Sequence, residues 1–416
     1  MKLHIPPALK NRRYFFLWAG LLISIAGGQM QISALFWHIR TLTGTPNPLA
    51  LGGIGLARIL PIIVFSLVSG PIADAFNRRQ ILFITQSLLA LIALALAILT
   101  FTGRIALWHI YALTALQAAT VAFDLPARQA MVPNLVPAKD LPNAFSMQSI
   151  ASNTGSVVGP MLGGVVIAAL GQGYTYLFNA ISFLAVIIAL FLIGPVAQET
   201  SKSAGVNFSA MKDGFRFIFS RPVIFSTMLL DFIATFFASA NTMMPIVARD
   251  ILKVGEVGYG ILSSAQSIGS VLAALVISQM SFLRRQGPVL LLAVVVFGVA
   301  TVVFGMSHAF LLALLALVLM GAADAVSTII RNTIRQLQTP DPIRGRMTSV
   351  NQIFFQGGPQ LGEVEAGIVA QLFGVPFAII SGGIGCIVGM ILIVLKWPQL
   401  RTYDGDEPTP AGALVN

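Results

Sequence analysis

Long apolar runs recur from one end of this chain to the other, separated by short polar turns, and no other feature limits its fold as tightly. A backbone in hydrocarbon finds no water, so a run of about 20 apolar residues must satisfy its own hydrogen bonds as a helix. The runs predict spans at about 14–39, 49–73, 80–101, 105–127, 143–170, 174–195, 222–248, 256–280, 288–306, 309–330, 346–371 and 375–395. Turn residues lie between them, as in Thr43-Gly44-Thr45-Pro46 and Thr339-Pro340-Asp341-Pro342. Composition leaves no soluble alternative. Of 416 residues, 56% are hydrophobic and 10% charged, where a soluble domain carries about 25% charged. An ordinary soluble enzyme and a disordered chain are excluded, and an all-α membrane protein is left.

The chemistry-bearing residues are sparse. One cysteine, Cys386, rules out an internal disulfide and a cysteine-based metal site. The four histidines, His4, His38, His109 and His308, form no His-x-x-x-His pair. No Gly-Lys-Ser/Thr phosphate loop is present, which argues against an ATP-driven pump. The expectation is a non-enzymatic protein with no metal and no cofactor. The first apolar run is too long for a signal peptide, and no small-residue cleavage site follows it.

The net charge of +10 would point to nucleic acid in a soluble chain. Here it follows from topology, because basic residues collect in cytoplasmic loops. With both termini inside, twenty of the 25 Lys and Arg fall on the cytoplasmic side, Arg331 and Arg335 among them. Four fall outside, and Arg58 lies within span two. No nucleic-acid partner is expected; the lipid bilayer is.

The longest interior polar stretch divides six spans from six. The predicted organisation is a six-helix bundle over 1–195, a cytoplasmic linker over 196–221, a second six-helix bundle over 222–395 and a cytoplasmic tail over 396–416. Within the linker, Phe208, Met211, Phe215 and Phe219 recur at helical spacing around Lys212, Asp213 and Arg216, the pattern of an amphipathic helix on the inner membrane face. The halves also repeat weakly. Pro137 and Pro340, Gly155 and Gly358, Gly159 and Gly362, and Gly164 and Gly367 all match at an offset of 203.

Three motifs carry more specific information. After span two comes Gly70-Pro71-Ile72-Ala73-Asp74-Ala75-Phe76-Asn77-Arg78-Arg79. Span five holds Gly155, Gly159, Pro160, Gly163 and Gly164, whose four-residue spacing makes a smooth face for close helix approach. Phe123-Asp124-Leu125-Pro126-Ala127-Arg128-Gln129-Ala130 and Gly358-Pro359-Gln360-Leu361-Gly362-Glu363 complete the set. The first resembles motif A of the major facilitator superfamily, with Asn77 where Gly is usual, and the second resembles motif C of its antiporters. Along nearly its whole length the chain is similar to the exporter branch that includes enterobactin exporters and macrolide-efflux-type proteins. The resemblance implies twelve transmembrane helices in two pseudo-symmetric six-helix bundles, with a site at the midplane. It implies a latch of Gly70, Asp74, Arg78 and Arg79, with Asp124 as the acid for one arginine. It also implies a monomer in the inner or plasma membrane. One departure bears on coupling: the span-four arginine of many drug–proton antiporters is missing from Leu113-Thr114-Ala115-Leu116-Gln117-Ala118-Ala119.

A charge at mid-bilayer costs at least about 2.5–3.5 kcal/mol, so ionisable residues in spans are functional candidates. Asp231 lies about ten residues into span seven, roughly 14 Å deep at 1.5 Å per residue. Glu363, Asp231, Arg58 and Glu365 are the proton-coupling candidates. Glu363 and Glu365, two apart on a helix, stand about 200° apart, and Glu363 is favoured to face the cavity. The rival reading of these charges is a static ion pair that fixes helix packing. Asp324 reads as a loose counterpart of Asp124. Candidates for an amphipathic substrate cavity are Gln29, Gln31, Phe36 and Trp37 on span one, Gln117 on span four, Asn241 on span seven, Gln266 on span eight, and Asn351, Gln352 and Gln356 on span eleven. Each could instead be a helix–helix hydrogen bond.

The functional expectation is proton-coupled export of a bulky hydrophobic, drug- or siderophore-like compound by alternating access. The alternatives are a uniporter or importer of a small metabolite in the same fold, and a non-transporting membrane receptor or assembly factor.

Overall fold

The apolar runs form helices, and polar residues just ahead of two of them set where they start. In this computed structural model, which describes residues 6–196, 216–237, 239–280 and 285–405, helix α1 (Arg12–Leu42) opens on Asn11. The Asn11 side chain accepts from the backbone N–H of Arg13 at 3.0 Å and of Tyr14 at 3.4 Å. Helix α2 is Pro48–Ala75. Helix α3 (Arg78–Phe101) opens on Asn77, which accepts from Arg79 and Gln80. The departure from the motif A glycine thus has a local cause. Asn77 sits at φ −65°, so no left-handed residue is needed, and an asparagine satisfies two otherwise orphaned amides.

Helices α4 (Leu107–Met131), α5 (Leu141–Leu170) and α6 (Gln172–Ile193) follow, then α7 (Pro222–Phe237), α8 (Gly255–Ser278), α9 (Gln286–Met306), α10 (Phe310–Leu337), α11 (Asp341–Phe373) and α12 (Val375–Lys396). Ten of the described helices are long and apolar enough to cross a membrane. The exceptions among the elements named are α7, apolar but short, and α11, long but polar. No strand occurs among the described residues. The internal repeat has a backbone counterpart. Gly171 (φ 89°) ends α5 and Gly374 (φ 91°) ends α11, both in the left-handed region, which glycine enters without a Cβ penalty. They too are offset by 203.

Two compact units emerge. The first comprises Met1–Pro46, Ala57–Val206 and Val254–Ser264, and the second Asn47–Leu56, Asn207–Lys253 and Ala265–Asn416. The core of the first gathers Tyr14, Leu17 and Leu21 of α1, Leu82 of α3, Met131 of α4, and Val186, Leu190 and Ile193 of α6. The core of the second gathers Leu230 of α7, Leu290 and Val294 of α9, Ile330 and Ile334 of α10, and Cys386, Met390 and Ile393 of α12. Leu400 joins it from beyond α12, where the Gly287 amide donates to Tyr403 O at 2.8 Å.

The predicted seventh span, continuous over 222–248, is corrected. Helix α7 stops at Phe237, a 3-10 turn covers Ala240–Met243, and a π-helical turn covers Val247–Ile251. Pro245 brings no N–H and crowds the preceding turn. Ser239 turns its hydroxyl to the Thr235 carbonyl at 2.8 Å and the Pro359 carbonyl at 3.2 Å. Of the amphipathic stretch in the linker, Phe208 to Phe215 lies outside the described residues. Its end, Phe217 and Ile218, packs on Met228 of α7 and Val350 of α11.

Candidate functional site

The glycines of span five do what their spacing predicts, and more. A Cβ on Gly155 would stand 2.6 Å from Ile25 Cγ2, and one on Gly159 2.6 Å from Ala26 O and Gln29 Cβ; Gly163 lies against Met30. This face seats α5 directly on α1, with Pro160 buried beside it. Gly164 turns elsewhere and meets Gly260 of α8. The second unit repeats the arrangement. Gly358 and Gly362 of α11 seat on Phe232, Thr235 and Phe236 of α7, while Gly367 meets Gly52 of α2.

In the first unit, the amides proposed for a cavity are largely bonded to one another. Gln31 Nε2 donates to Gln117 Oε1 at 2.9 Å, Asn179 Nδ2 donates to Gln31 Oε1 at 2.6 Å, and the Ser182 hydroxyl donates to Asn179 Oδ1 at 2.9 Å. This chain ties α1, α4 and α6 together. Phe36 is buried with the Arg58 guanidinium 5.5 Å from its ring centroid, a cation–π contact. Trp37 is buried against Tyr259, ring centroids 5.0 Å apart, and the Tyr259 hydroxyl donates to Ser33 O at 2.8 Å. Gln29 is half-buried.

The latch expectation needs correction at Asp124. Asp124 is buried and accepts from Thr85 Oγ1 at 2.8 Å and Gln86 Nε2 at 2.7 Å. Its ion-pair partner is Arg128, one turn on in the same helix, not Arg78 or Arg79. Arg78 Nη1 instead reaches Ala130 O at 2.9 Å and Asn134 Oδ1 at 2.8 Å, and Arg79 Nε reaches Leu190 O at 2.8 Å. Both arginines stitch the start of α3 to the ends of α4 and α6. An acid four residues from an arginine on one helix needs no tertiary movement to pair, so Arg128 takes Asp124. Gly70 and Asp74 fall within α2, and their side-chain surroundings lie outside the described residues, as does the side chain of Asn241.

In the second unit, the structure assembles a group that the sequence did not predict. Asp231 of α7 is buried between two guanidiniums of α10. Arg331 Nη2 stands 2.9 Å from its Oδ1, and Arg335 Nη1 3.7 Å from its Oδ2. The same Arg331 nitrogen lies 3.7 Å from Asp324 Oδ1. The Arg331 side chain is 1% exposed and Asp231 2%, but Asp324 is 46% exposed. Arg335 is steadied by Asn332, at 2.6 Å, and by Asn351 of α11. Arg331 also donates to Thr328 Oγ1 at 2.9 Å. Arg331 and Arg335 were counted as loop charges. The signal that would have found them is spacing: 324, 328, 331 and 335 fall on one helical stripe, which Asp231 then faces. Asp324 is accordingly no loose counterpart of Asp124 but the half-exposed acid of this group.

The remaining candidates are dispersed. Glu363 lies on the α11 face toward α2, its Cβ 2.9 Å from where a Gly55 side chain would begin. Glu365 is half-buried, three residues on from Gly362 and so only about a sixth of a turn from the face that Gly362 seats on α7. Gln266 Nε2 is 4.0 Å from Met320 Sδ. Gln352 is exposed and Gln356 half-buried. Asn351 belongs to the ion group, as the Arg335 acceptor.

The sequence profile described as transmembrane secretion effector matches residues 6–411. Among curated relatives, the multidrug efflux pump Tap of Mycolicibacterium fortuitum is 27% identical over 391 residues, 91% of this chain and 94% of its own. The enterobactin exporter EntS of Citrobacter koseri is 26% identical over 348 residues, 83% of each chain. Among solved structures, a POT family transporter in complex with a thioalcohol-conjugated peptide aligns at TM-score 0.75 with 12% identity, over 95% of this chain and 99% of that one. A bacterial homolog of the human lysosomal transporter Spinster, inward-facing and unoccupied, aligns at 0.69 with 15% identity, over 96% and 97%. At these identities the two structures speak for the fold.

Proposed function

The chain belongs to the transmembrane secretion effector family of the major facilitator superfamily, a family of membrane transporters and not of enzymes, and from that premise we propose that it exports a bulky, hydrophobic, drug- or siderophore-like molecule against an inward flow of protons. The substrate class draws on the curated relatives, an enterobactin exporter and a multidrug efflux pump. The reading includes twelve spans in two six-helix bundles over 1–195 and 222–395, joined by the linker 196–221 and followed by the tail 396–416. It also includes alternating access, both termini in the cytoplasm of a cell with the protein in its inner membrane, and a monomeric working unit.

The observation that carries the coupling is the buried group at Asp231. A charge in hydrocarbon is kept only for a strong reason, and intramembrane acids and bases mark ion pathways by default. Here four ionisable groups share one site within the second unit, and one acid, Asp324, is half-exposed. One proton moving down 100 mV yields about 2.3 kcal/mol, enough for roughly a fifty-fold gradient of a neutral solute.

The test is accumulation of dyes, macrolides and siderophores in an efflux-deficient host, with and without a proton uncoupler. Lower accumulation that the uncoupler abolishes is expected. Lower accumulation indifferent to the uncoupler would overturn the coupling, and accumulation raised by the protein would indicate import. A Glu363→Gln arm addresses the other acid; normal uncoupler-sensitive export by that variant would remove Glu363 from the mechanism.

A further inference from the structure

We propose that Arg331 exchanges between two carboxylates, Asp231 and Asp324, and that the proton on Asp324 decides how firmly α10 holds α7. This rests on the exporter reading for its purpose but not for its physics. One nitrogen, Arg331 Nη2, faces both acids, at 2.9 Å and 3.7 Å. Moving a buried guanidinium is costly when it strands a charge. Here no charge is stranded. If Arg331 leans toward Asp324, Asp231 keeps Arg335 on its other oxygen. If Asp324 is neutralised, Arg331 keeps Asp231. Arg335 is anchored separately by Asn332 and Asn351, so it does not follow Arg331.

The asymmetry of exposure sets where the proton enters. Asp231 and Arg331 are sealed, and Asp324 is half-open. The step is a single proton transfer from solvent to the Asp324 carboxylate, with no bond otherwise made or broken. Ionised, Asp324 competes for Arg331 and weakens its grip on Asp231. Protonated, it withdraws, and Arg331 binds Asp231 alone. The groups from the surrounding helices are Asp231 of α7, Asn351 of α11 and, against the Gly321 backbone one turn before Asp324, the Gln266 carbonyl and the Ser270 hydroxyl of α8. Cys386 of α12 shares the core with Leu230, Ile330 and Ile334, the neighbours in sequence of Asp231, Arg331 and Arg335. Helix α9 brings no charged residue.

Cys386, the only cysteine and fully buried, is a built-in reporter of this core. The experiment is N-ethylmaleimide labelling of Cys386 in the purified full chain, reconstituted in lipid. Each rate is divided by that of the unfolded chain at the same pH, which removes the thiol's own ionisation. The ratio is expected to fall about threefold as the pH drops from about 8 to about 4, through the range in which a carboxylate takes up its proton, because α7 and α10 tighten. Asp324→Asn should hold the ratio low at both pH values, and Asp324→Glu should restore the pH dependence. A flat wild-type ratio, or an Asp324→Asn profile that follows wild type, would overturn the exchange; the wild-type arm needs no variant to fold. Labelling uses no substrate, so it separates from the exporter reading. A pH-dependent ratio without export of any compound would sink only that reading, and proton-driven export with a flat ratio would sink only the exchange.

Discussion

The two units each bury an acid beside an arginine, and they do so differently. Arg128 of α4 and Arg331 of α10 lie 203 residues apart, the offset at which the glycines and the left-handed caps also repeat. In the first unit the pair closes within one helix. Asp124 takes Arg128 from the next turn, and Thr85 and Gln86 of α3 complete its hydrogen bonds. The Arg128 side chain keeps 17% exposure, so it can snorkel. In the second unit the acid comes from another helix, two arginines face it, and a second acid waits at the edge. The first arrangement is local and satisfied. The second binds two helices through charges that have alternative partners. The backbone scaffold is alike in the two units, and the ionisable groups are where they differ.

The sharpest way to break the comparison is Asp231→Ala. It leaves Arg335 without a carboxylate and Arg331 with Asp324 alone, and is expected to cost about 3–5 kcal/mol, read as loss of monodisperse protein on heating in detergent. Pairing it with Arg335→Met, which leaves Arg331 and Asp324 to balance each other, should recover part of that loss. Asp124→Ala is expected to cost less, about 1–3 kcal/mol, because it frees two neutral donors and an arginine that can reach water. A melting loss as large as that of Asp231→Ala would erase the distinction between the units. Asn351→Ala removes one acceptor from Arg335 and should cost about 1.5–3 kcal/mol at most, the value of a hydrogen bond to a charged group. Its further signature is a weakened hold on Arg335 with α3 and α4 untouched, visible as faster hydrogen exchange confined to α10 and α11. Asn77→Ala removes the cap of α3 and should cost about 1 kcal/mol, with an equilibrium unfolding curve shifted and not reshaped.

Much of this was written in the sequence, for reasons that differ by residue. The spans were legible because hydrocarbon forces every apolar run to close its own bonds. Gly155, Gly159 and Gly163 were legible because four-residue spacing puts them on one face. The turn over Ala240–Met243 was missed because apolar residues flank it; Ser239, Asn241, Thr242 and Pro245 are its marks in the sequence. Asp231 was found because a lone acid in an apolar run is conspicuous. Arg331 and Arg335 were not, because they sit near a helix end, where charge bias is the ordinary explanation. Deciding between a loop arginine and a buried one takes the neighbouring helix, and sequence spacing within α10 does not supply α7. Gln31 and Gln117 illustrate the converse. Polar residues in spans read equally as cavity lining or helix–helix bonds, and here they bond to each other.

The most direct test of the account is uncoupler-sensitive export measured side by side in wild type, Asp124→Asn and Asp324→Asn, on any compound the wild type expels. The account predicts that Asp124→Asn slows export but leaves it sensitive to the uncoupler, while Asp324→Asn loses that sensitivity. Full uncoupler sensitivity in Asp324→Asn, or its loss in Asp124→Asn alone, would contradict it.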